Sequence, residues 1–586
     1  MMVSRTSARL TPVGTILWVT LFTSFAAAST AIAEPGIGVK VALPAVVQTA
    51  QVGGGAADAE PISPQRLEWH LPDPELGRQT LVAQLARARE SGDKDAAKRA
   101  ARVLELIESI RRPKQIRLSL EDAIRRTLAN NFTIQTLSYN PAIETTRVVE
   151  AESVFDAVVF ANANNTKVDR PTASALVSNQ ASFLTANFGL RKLLATGAQV
   201  RGQYDFNREE RDFAFQFLSP AYTSTFTLEV RQPLMRGFGL DFNRSLIVVA
   251  NNNRRISDLE FRRTIRDTLR TVEERYWRLA QARRNVVATA RLLAEFEAIL
   301  EILKARRNFD VRKAQLDTTK ASLEQMRALF IQEKTGIAAF APGILTAQDE
   351  LVAIMNDPEI NLVDDIEIIP VDVPTLRRFK LDRLGEIQTA IDSRTEIKEQ
   401  ELRIASAKIQ VGRAANAELP GFDLLFRTES RGLGASADQS FDEVSRSNFI
   451  DYIVGLEFDV PIGNRGAKAA RRRASLRHQQ AVARLKIVLE DVILDVNHAV
   501  HALSTTHEQL APLARSMEAR EGEVSSASHR ATGYDYNTLI SILGAWQSLR
   551  GGRQDLFRRI VDYNLAIIDL ERAKGTLLSY HGVVIP

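Results

Sequence analysis

The chain has 586 residues, no cysteine, a net charge of +5, 25% charged residues and 45% hydrophobic residues. This composition is typical of folded protein, and the lack of cysteine excludes disulfides, thiolate metal sites and cysteine nucleophiles. So small a net charge does not indicate a nucleic-acid partner, because such proteins concentrate basic residues in patches.

The N-terminus has the three parts of an export signal. Arg5 and Arg9 precede an apolar run that ends in small residues around Ala33. This order predicts a cleavable signal peptide over residues 1–33. A membrane anchor is the alternative, although the run is shorter than the roughly 20 residues that a helical span needs. No later window is apolar enough for a transmembrane helix, so we expect any membrane insertion to use strands.

Residues 34–115 are predicted to form an N-terminal periplasmic extension that is partly flexible. Gly, Ala, Pro and Val are frequent in residues 34–70, which indicates a flexible lead-in. Residues 74–112 carry a charged helical pattern that predicts a surface helix or helix pair, and Pro113 ends it. The sequence gives this extension no role.

Two structural repeats are predicted after the extension, over residues 116–380 and 381–586. Each begins with a helix, and the two helices are offset by roughly 260 residues, which indicates duplication. In the first of these helices, Ser119 and Asp122 fit an N-cap followed by an acidic residue at the N3 position.

Strands are predicted after each opening helix, over about 156–234 and about 421–461. In the first region Phe226, Leu228 and Val230 alternate with polar residues, which is the pattern of a two-faced strand. The first region is longer by roughly 40 residues, and alternation within this surplus predicts an additional hairpin.

A long helix hairpin is predicted after each set of strands, over about 242–356 and about 465–579. Apolar residues recur at steps of three and four, as at Phe261, Ile265 and Leu269, which forms a heptad seam. The first helix extends over about 70 residues, or about 100 Å at 1.5 Å per residue. Helices of this length are typical of coiled coils or tubes.

The order of these segments resembles the outer membrane efflux protein family, the TolC-like channels. Stretches at 118–131, 231–239, 458–469 and 532–578 carry the likeness together with the duplicated layout, and it covers about 116–579. The resemblance implies α plus membrane β architecture, in which a homotrimer closes one outer-membrane β-barrel that a periplasmic α-helical barrel continues. The family's usual count is four strands per chain, whereas this sequence allows more.

The resemblance also implies a function. The chain would be the exit duct of a tripartite efflux or type I secretion system, with passive passage through the outer membrane of a Gram-negative-type cell. The implied partners are a periplasmic adaptor protein, an inner-membrane pump and outer-membrane lipid, and no cofactor is implied. The transported substrate is not predicted.

Two sets of residues are the predicted sites. Proline ends a strand ladder and glycine allows a sharp bend, so a barrel-to-tunnel junction is predicted at Pro233, Gly237, Gly239, Pro461 and Gly463. By resemblance, a periplasmic gate is predicted at the helix turns, around Arg312, Lys313, Asp317, Tyr534, Asp535 and Tyr536. A charge pair between Arg312 or Lys313 and Asp535 is a hypothesis, and the tyrosines could instead be turn packing.

Other functions fit the sequence less well. A periplasmic coiled-coil adaptor or scaffold without its own pore would share long hairpins, but it would not need two sets of strands. An enzyme is not expected, because catalytic motifs such as G-x-S-x-G, H-E-x-x-H and the phosphate loop are absent from the sequence. His498, His501 and His507 lie close on one helix, where a solvated face is favoured over a metal site. The basic stretch 468–478 indicates a charged helix face rather than a nucleic-acid patch.

Overall fold

The computed structural model describes residues 78–171, 178–212, 217–309, 311–336, 343–529 and 536–585. The helices are α1 Arg78–Glu90, α2 Lys94–Glu108, α3 Leu120–Asn130, α4 Phe132–Glu152, α5 Leu240–Asn243, α6 Ser245–Ala305, α7 Lys313–Thr335, α8 Ile344–Met355, α9 Arg383–Ser393, α10 Thr395–Glu418, α11 Ala437–Arg446, α12 Arg465–His529, α13 Tyr536–Lys574 and α14 Leu577–Tyr580. The strands are β1 Lys114–Leu118, β2 Val158–Asp169, β3 Gln180–Leu193, β4 Gln199–Arg211, β5 Ala221–Pro233, β6 Ile366–Pro370, β7 Gly421–Gly434 and β8 Ile450–Asp459.

The helix α6 is the centre of the helical part. Its buried residues Ile265, Leu269, Val272 and Tyr276 follow the heptad steps that the sequence shows. The helices α4, α7, α8, α10 and α13 pack around it, so most of its circumference is covered. Among the described residues, none of the helices combines the length and hydropathy that a membrane-spanning helix requires.

The N-cap predicted ahead of α3 is confirmed, because the Ser119 hydroxyl accepts a hydrogen bond from the Asp122 N–H at 3.1 Å. The return limb of the first hairpin, in contrast, is divided. α7 ends at Thr335 and is capped by Gly336, whose φ of 95° is left-handed, and α8 begins after Gly343. A Cβ atom at Gly336 would collide with the Thr346 side chain, so the helix end requires glycine here.

Six strands form one antiparallel sheet in the order β2-β3-β4-β5-β7-β8, so β2 and β8 are its edges. The additional hairpin that the alternation predicts is confirmed as β3 and β4. Residues paired in register share a face: Phe226 lies opposite Tyr204, and Val230 lies opposite Phe426. This face, which we call the apolar face, is opposite the face that carries Thr227 and Glu229.

One helix in the sheet region has no counterpart among the predicted elements. α11 connects β7 to β8 and lies on the apolar face, where the Ser440 and Ser224 hydroxyls are 2.9 Å apart. Gly432 permits the approach, because a Cβ atom there would collide with the Ser440 carbonyl oxygen. Small side chains on both elements therefore allow the helix backbone to touch the sheet.

The described part of the extension is a pair of helices, α1 and α2. Asp93 caps α2 by accepting hydrogen bonds from the N–H groups of Asp95 and Ala96. α2 buries Val103, Leu106 and Ile107 in the core that it shares with α6. After this pair, β1 forms a parallel two-stranded sheet with β6, which follows the first hairpin.

Candidate functional site

The first strand-to-helix junction follows β5. Pro233 is the last residue of β5 and pairs with Asp423 of β7. Gly237 and Gly239 then adopt φ values of 87° and 102°, which side chains with a Cβ atom rarely tolerate. Gly239 is the N-cap of α5, so the chain leaves the sheet and enters the helical part within a few residues.

The turn between β3 and β4 is part of the same junction. The Gly239 N–H donates to the Thr196 carbonyl oxygen at 3.2 Å, and the Thr196 hydroxyl lies 3.1 Å from Gln232 Oε1. Asn243 donates from its amide to the carbonyl oxygens of Gly237 and Gly239, both at 2.9 Å. A Cβ atom at Gly197 would collide with the Gly237 carbonyl oxygen, so the two turns lie in direct contact.

The second junction follows β8 and has the same plan. Pro461 comes two residues after the end of β8, and Gly463 adopts a φ of 80°. The next residue, Asn464, donates from its side chain to the Glu418 carbonyl oxygen at 2.8 Å. This hydrogen bond ties the start of α12 to the end of α10.

An ion pair connects the two junctions. Arg236 Nη2 lies 3.1 and 3.0 Å from the two carboxylate oxygens of Asp459, the last residue of β8. The Gly237 N–H also donates to Asn416 Oδ1 of α10 at 2.7 Å. The structure therefore brings Pro233, Gly237 and Gly239 close to the segment that carries Pro461 and Gly463.

Charged residues cross-link the face of the sheet opposite the apolar face. Arg427 Nε lies 3.2 Å from Glu229 Oε2 and 3.3 Å from Glu429 Oε1. Arg231 Nε lies 3.0 Å from Asp423 Oδ2, one register step nearer the junction. Ion pairs and exposed polar groups make this face suitable for contact with water.

The predicted gate residues lie at the helix turns as far as they are described. The Arg312 N–H donates to Gln315 Oε1 at 2.9 Å, and Lys313 begins α7. Asp317 Oδ1 lies 3.6 Å from Lys320 Nζ within the same helix, and Tyr536 begins α13, half-buried against the core. The other predicted gate residues, Tyr534 and Asp535, lie outside the described residues, and so does the hypothesised charge pair.

The extension packs on the first hairpin close to its turn, a contact that the helical charge pattern of residues 74–112 does not predict. Arg102 Nε of α2 lies 2.7 Å from Glu297 Oε2 of α6, and Arg327 Nη2 of α7 lies 3.1 Å from Glu297 Oε1. Burial alone would raise the pKa of Glu297, but the hydrogen bonds from Arg102 and Arg327 hold it below its ordinary value. Glu297 therefore joins three helices as a carboxylate.

His507, one of the three histidines that lie close on α12, packs against a neighbouring helix. The His507 ring packs edge-on against Tyr563, with ring centroids 5.3 Å apart, and burial lowers the pKa of His507. Within the described ranges, no group of three or more His, Asp or Glu side chains could hold a metal ion. His507 thus contributes to helix packing between α12 and α13.

Comparisons with known proteins agree with this architecture. No protein-family model matches the chain. The chain is 21% identical over 315 residues to the outer membrane protein TolC of Vibrio cholerae, and the match covers 49% of the chain and 68% of that relative. The solved structure of the Campylobacter jejuni CmeC outer membrane channel superposes with a TM-score of 0.57 at 14% identity, covering 78% of the chain and 86% of CmeC. The outer membrane protein VceC from Vibrio cholerae gives 0.55 at 17% identity, covering 78% and 96%.

The fold is therefore that of outer membrane channels. The resemblance to TolC-like outer membrane efflux channels, inferred from the sequence, is confirmed. These similarities support an outer membrane location with a large periplasmic part, and they support transport rather than catalysis as the class of function.

Proposed function

We propose that the chain is an outer-membrane channel-tunnel that serves as the exit duct of a tripartite efflux or type I secretion system. Three copies would close one β-barrel in the outer membrane, and their helices would continue it as a periplasmic tunnel. Passage is passive, and a periplasmic adaptor protein would connect the duct to an inner-membrane pump. The energy for transport would come from that pump.

One observation carries this proposal. The two edge strands of the sheet are directly connected in the chain to the two helices that expose apolar side chains. β2 and β8 are the free edges of the sheet. α4 leads into β2 and α12 follows β8, and both helices expose apolar side chains. These are Phe132, Tyr139, Ile143 and Val149 on α4, and Leu476, Ile487 and Leu494 on α12. A neighbouring copy that pairs with the strand edge would also cover these helices.

The two faces of the sheet support insertion into lipid. At the β8 edge, Tyr452, Val454 and Leu456 of the apolar face are 69%, 72% and 67% exposed. The opposite face carries the ion pairs around Arg427. If the sheet closes into a barrel with its apolar face outside, it would present apolar side chains to lipid and charged groups to an aqueous lumen.

The alternative, a periplasmic adaptor without its own pore, fits this sheet poorly. An adaptor in water would gain nothing from a row of exposed Tyr452, Val454 and Leu456, which would instead promote aggregation. The relatives reported above are outer membrane channels.

The direct test is to purify the mature chain from outer membranes and measure it in detergent and in lipid bilayers. We expect a trimer that resists dissociation by heat in detergent, and discrete single-channel conductance in bilayers. A monomeric, water-soluble protein that gives no conductance would overturn the proposal. Co-purification from the native envelope would identify the adaptor and the pump.

We further propose that the helix turns around Arg312, Lys313 and Asp317 form the gate together with the turn that precedes α13. Rings of charged side chains set ion selectivity at a constriction. Asp317→Lys would therefore shift selectivity toward anions. Asp442→Lys is a matched control, because Asp442 is also exposed and pairs with Arg446 at 3.8 Å, but on α11 at the apolar face. Unchanged selectivity in Asp317→Lys would contradict a gate at this position.

A further inference from the structure

The hairpin of β3 and β4 raises the sheet to six strands, whereas four strands per chain is the usual count in the resembled family. It lies between β2 and β5, which are the first and last strands that the first half contributes to this sheet. Both strands are paired with their outer neighbours along nearly their whole length: β3 pairs with β2 from Gln180 to Arg191, and β4 pairs with β5 from Gln199 to Glu209. The hairpin is thus part of the continuous sheet rather than an appended loop.

Side chains fix the register of this hairpin. Asn162 of β2 donates to Asn187 Oδ1 of β3 at 3.0 Å. The Phe160 ring covers Gly189, where a Cβ atom would lie 2.8 Å from the ring, and the Arg201 guanidinium lies 5.2 Å from the same ring's centroid. An aromatic ring over a strand glycine compensates for the missing side chain, and the stacked arginine adds a cation–π contact.

The hairpin is also fixed to the base of the sheet. Its turn, at Thr196 and Gly197, contacts Gly237, Gly239 and Asn243 of the first junction. The strands therefore cannot fold away from the sheet without breaking the junction from which the long helix starts.

The direction of the edge strands specifies how copies can join. β2 begins at the helical part and runs away from it, whereas β8 runs toward it and ends at the second junction. β8 of one copy and β2 of the next would therefore be antiparallel, as are all other neighbours in this sheet. Unpaired strand edges are not tolerated in lipid, so the edge of a second copy is the partner that this surface requires.

We propose that three copies close an eighteen-stranded barrel by pairing β8 with β2, and that β3 and β4 line its lumen. This inference rests on the proposed channel function. Barrel diameter grows roughly linearly with strand number, so the barrel would be about 1.5 times as wide as one built from four strands per chain. The barrel would therefore admit solutes of larger cross-section than a barrel built from four strands per chain.

The first experiment tests whether β8 of one copy pairs with β2 of the next. Because the chain contains no cysteine, every disulfide that forms will join two introduced residues. Val454→Cys would be combined in turn with Val159→Cys, Ala161→Cys and Ala163→Cys, all on the apolar face. We expect one combination to give covalent dimers and trimers in non-reducing gels. The matched control is Val454→Cys with Phe426→Cys, which are partners within one chain and should give only cross-linked monomer.

The same approach shows whether the hairpin stays in the barrel. If β3 and β4 leave the sheet and β2 pairs with β5 in the membrane, Val159→Cys will cross-link within one chain to one of Phe226→Cys, Leu228→Cys and Val230→Cys, which lie on the same face of β5. That result would overturn the eighteen-stranded barrel, and so would the absence of any cross-link between copies. Cross-linked trimers without conductance would contradict the channel function and leave the closure intact.

The second experiment measures the width. β2 and β5 have their connections to the hairpin at the end of the sheet far from the helices, and they run in opposite directions. Deleting residues 180–211 would therefore leave a four-stranded chain with a joined outer loop. With polyethylene glycols of graded size added from the outer side, we expect the full chain to admit polymers that the deletion variant excludes. Equal size limits would overturn the wide barrel. If the variant fails to assemble, the cysteine pairs in the full-length chain decide.

Discussion

The two halves of the chain follow one plan but differ in what is packed onto it. The outgoing helices are similar, with 61 residues in α6 and 65 in α12. The first half has four strands of the large sheet and a divided return limb of α7 and α8, whereas the second has two strands and one continuous return helix, α13.

The burial of the two outgoing helices differs more than their lengths. α6 is covered by other helices on most sides, whereas α12 leaves Leu476, Ile487 and Leu494 exposed. The first half therefore supplies most of the buried core, and in the proposed trimer the exposed side of α12 would face a neighbouring copy together with α4 of the first half. A tube wall built from copies needs both, because each subunit must fold and must also expose an edge.

The largest difference in stability between the halves is expected when the carboxylate of an ion pair is removed from each. In the first half, Arg283 Nη1 lies 2.9 Å from Glu367 Oε1, with side chains only 5% and 4% exposed. Glu367→Ala would remove the carboxylate that pairs with Arg283 in the core and that accepts hydrogen bonds from the Arg112 N–H and the Gln115 amide, so we expect destabilisation of about 3–5 kcal/mol.

The matched pair in the second half is Arg394 with Asp495, 2.7 Å apart, where the Asp495 side chain is 45% exposed. Arg394 itself is buried, but it keeps the Glu396 carboxylate at 3.5 Å and the Arg572 carbonyl oxygen as partners, so Asp495→Ala should cost about 1 kcal/mol or less. Denaturant unfolding of the two variants in detergent checks this difference. Equal losses of unfolding free energy would show that the first half is not the buried core.

A smaller difference in stability is expected from two fully buried tyrosines. Each is hydrogen-bonded to the segment that connects the two halves. The Tyr276 hydroxyl accepts hydrogen bonds from the N–H groups of Val371 and Asp372, both at 3.0 Å. The Tyr563 hydroxyl donates to the Arg377 carbonyl oxygen. Burial raises the pKa of Tyr563 to about 12 and raises that of Tyr276 as well, so both hydroxyls stay protonated at neutral pH.

Tyr276→Phe would leave the half-buried Asp372 N–H without its acceptor, whereas the Val371 N–H keeps the Leu118 carbonyl oxygen, and we expect the substitution to cost about 1–3 kcal/mol. Tyr563→Phe would leave only one carbonyl oxygen without its donor, and it should cost about 0.5–1.5 kcal/mol. The measurement is again unfolding in denaturant. A larger loss for Tyr563→Phe would reverse the assignment of the stronger anchor to the first half.

Much of this architecture could be predicted from the sequence because its signals are long and periodic. The heptad seam through Ile265 and Leu269 is repeated over many turns, and the alternation in β3 and β4 persists over whole strands. The rest depends on contacts that have no local signal. α11 has only 10 residues, and the close approach of Ser440 to Gly432 holds it on the sheet. The partner of Arg102 lies 195 residues further along the chain, and no pattern near Arg102 indicates it.

The smallest predicted effect concerns the extension that distinguishes the first half. Because the pKa of Glu297 is lowered in the folded state, its contribution is present above the ordinary value of 4.5 and is lost as the pH falls through the folded value. Arg102 is partly exposed, so solvent screening limits the pair to about 1 kcal/mol or less. We expect hydrogen exchange in α2 to be slow at pH 7 and, after correction for intrinsic rates, to lose protection below about pH 4.5, while α13 stays protected.

Glu297→Gln should give the lower protection of α2 already at pH 7, with little further change on acidification. Glu105→Gln is the matched control, because Glu105 also pairs with Arg102 at 2.8 Å but is 70% exposed, and it should retain the wild-type profile. If α2 loses protection equally in both variants, general charge on the extension holds it in place. If only Glu297→Gln changes it, the carboxylate that joins α2, α6 and α7 is the specific contact by which the extension braces the first hairpin near its turn.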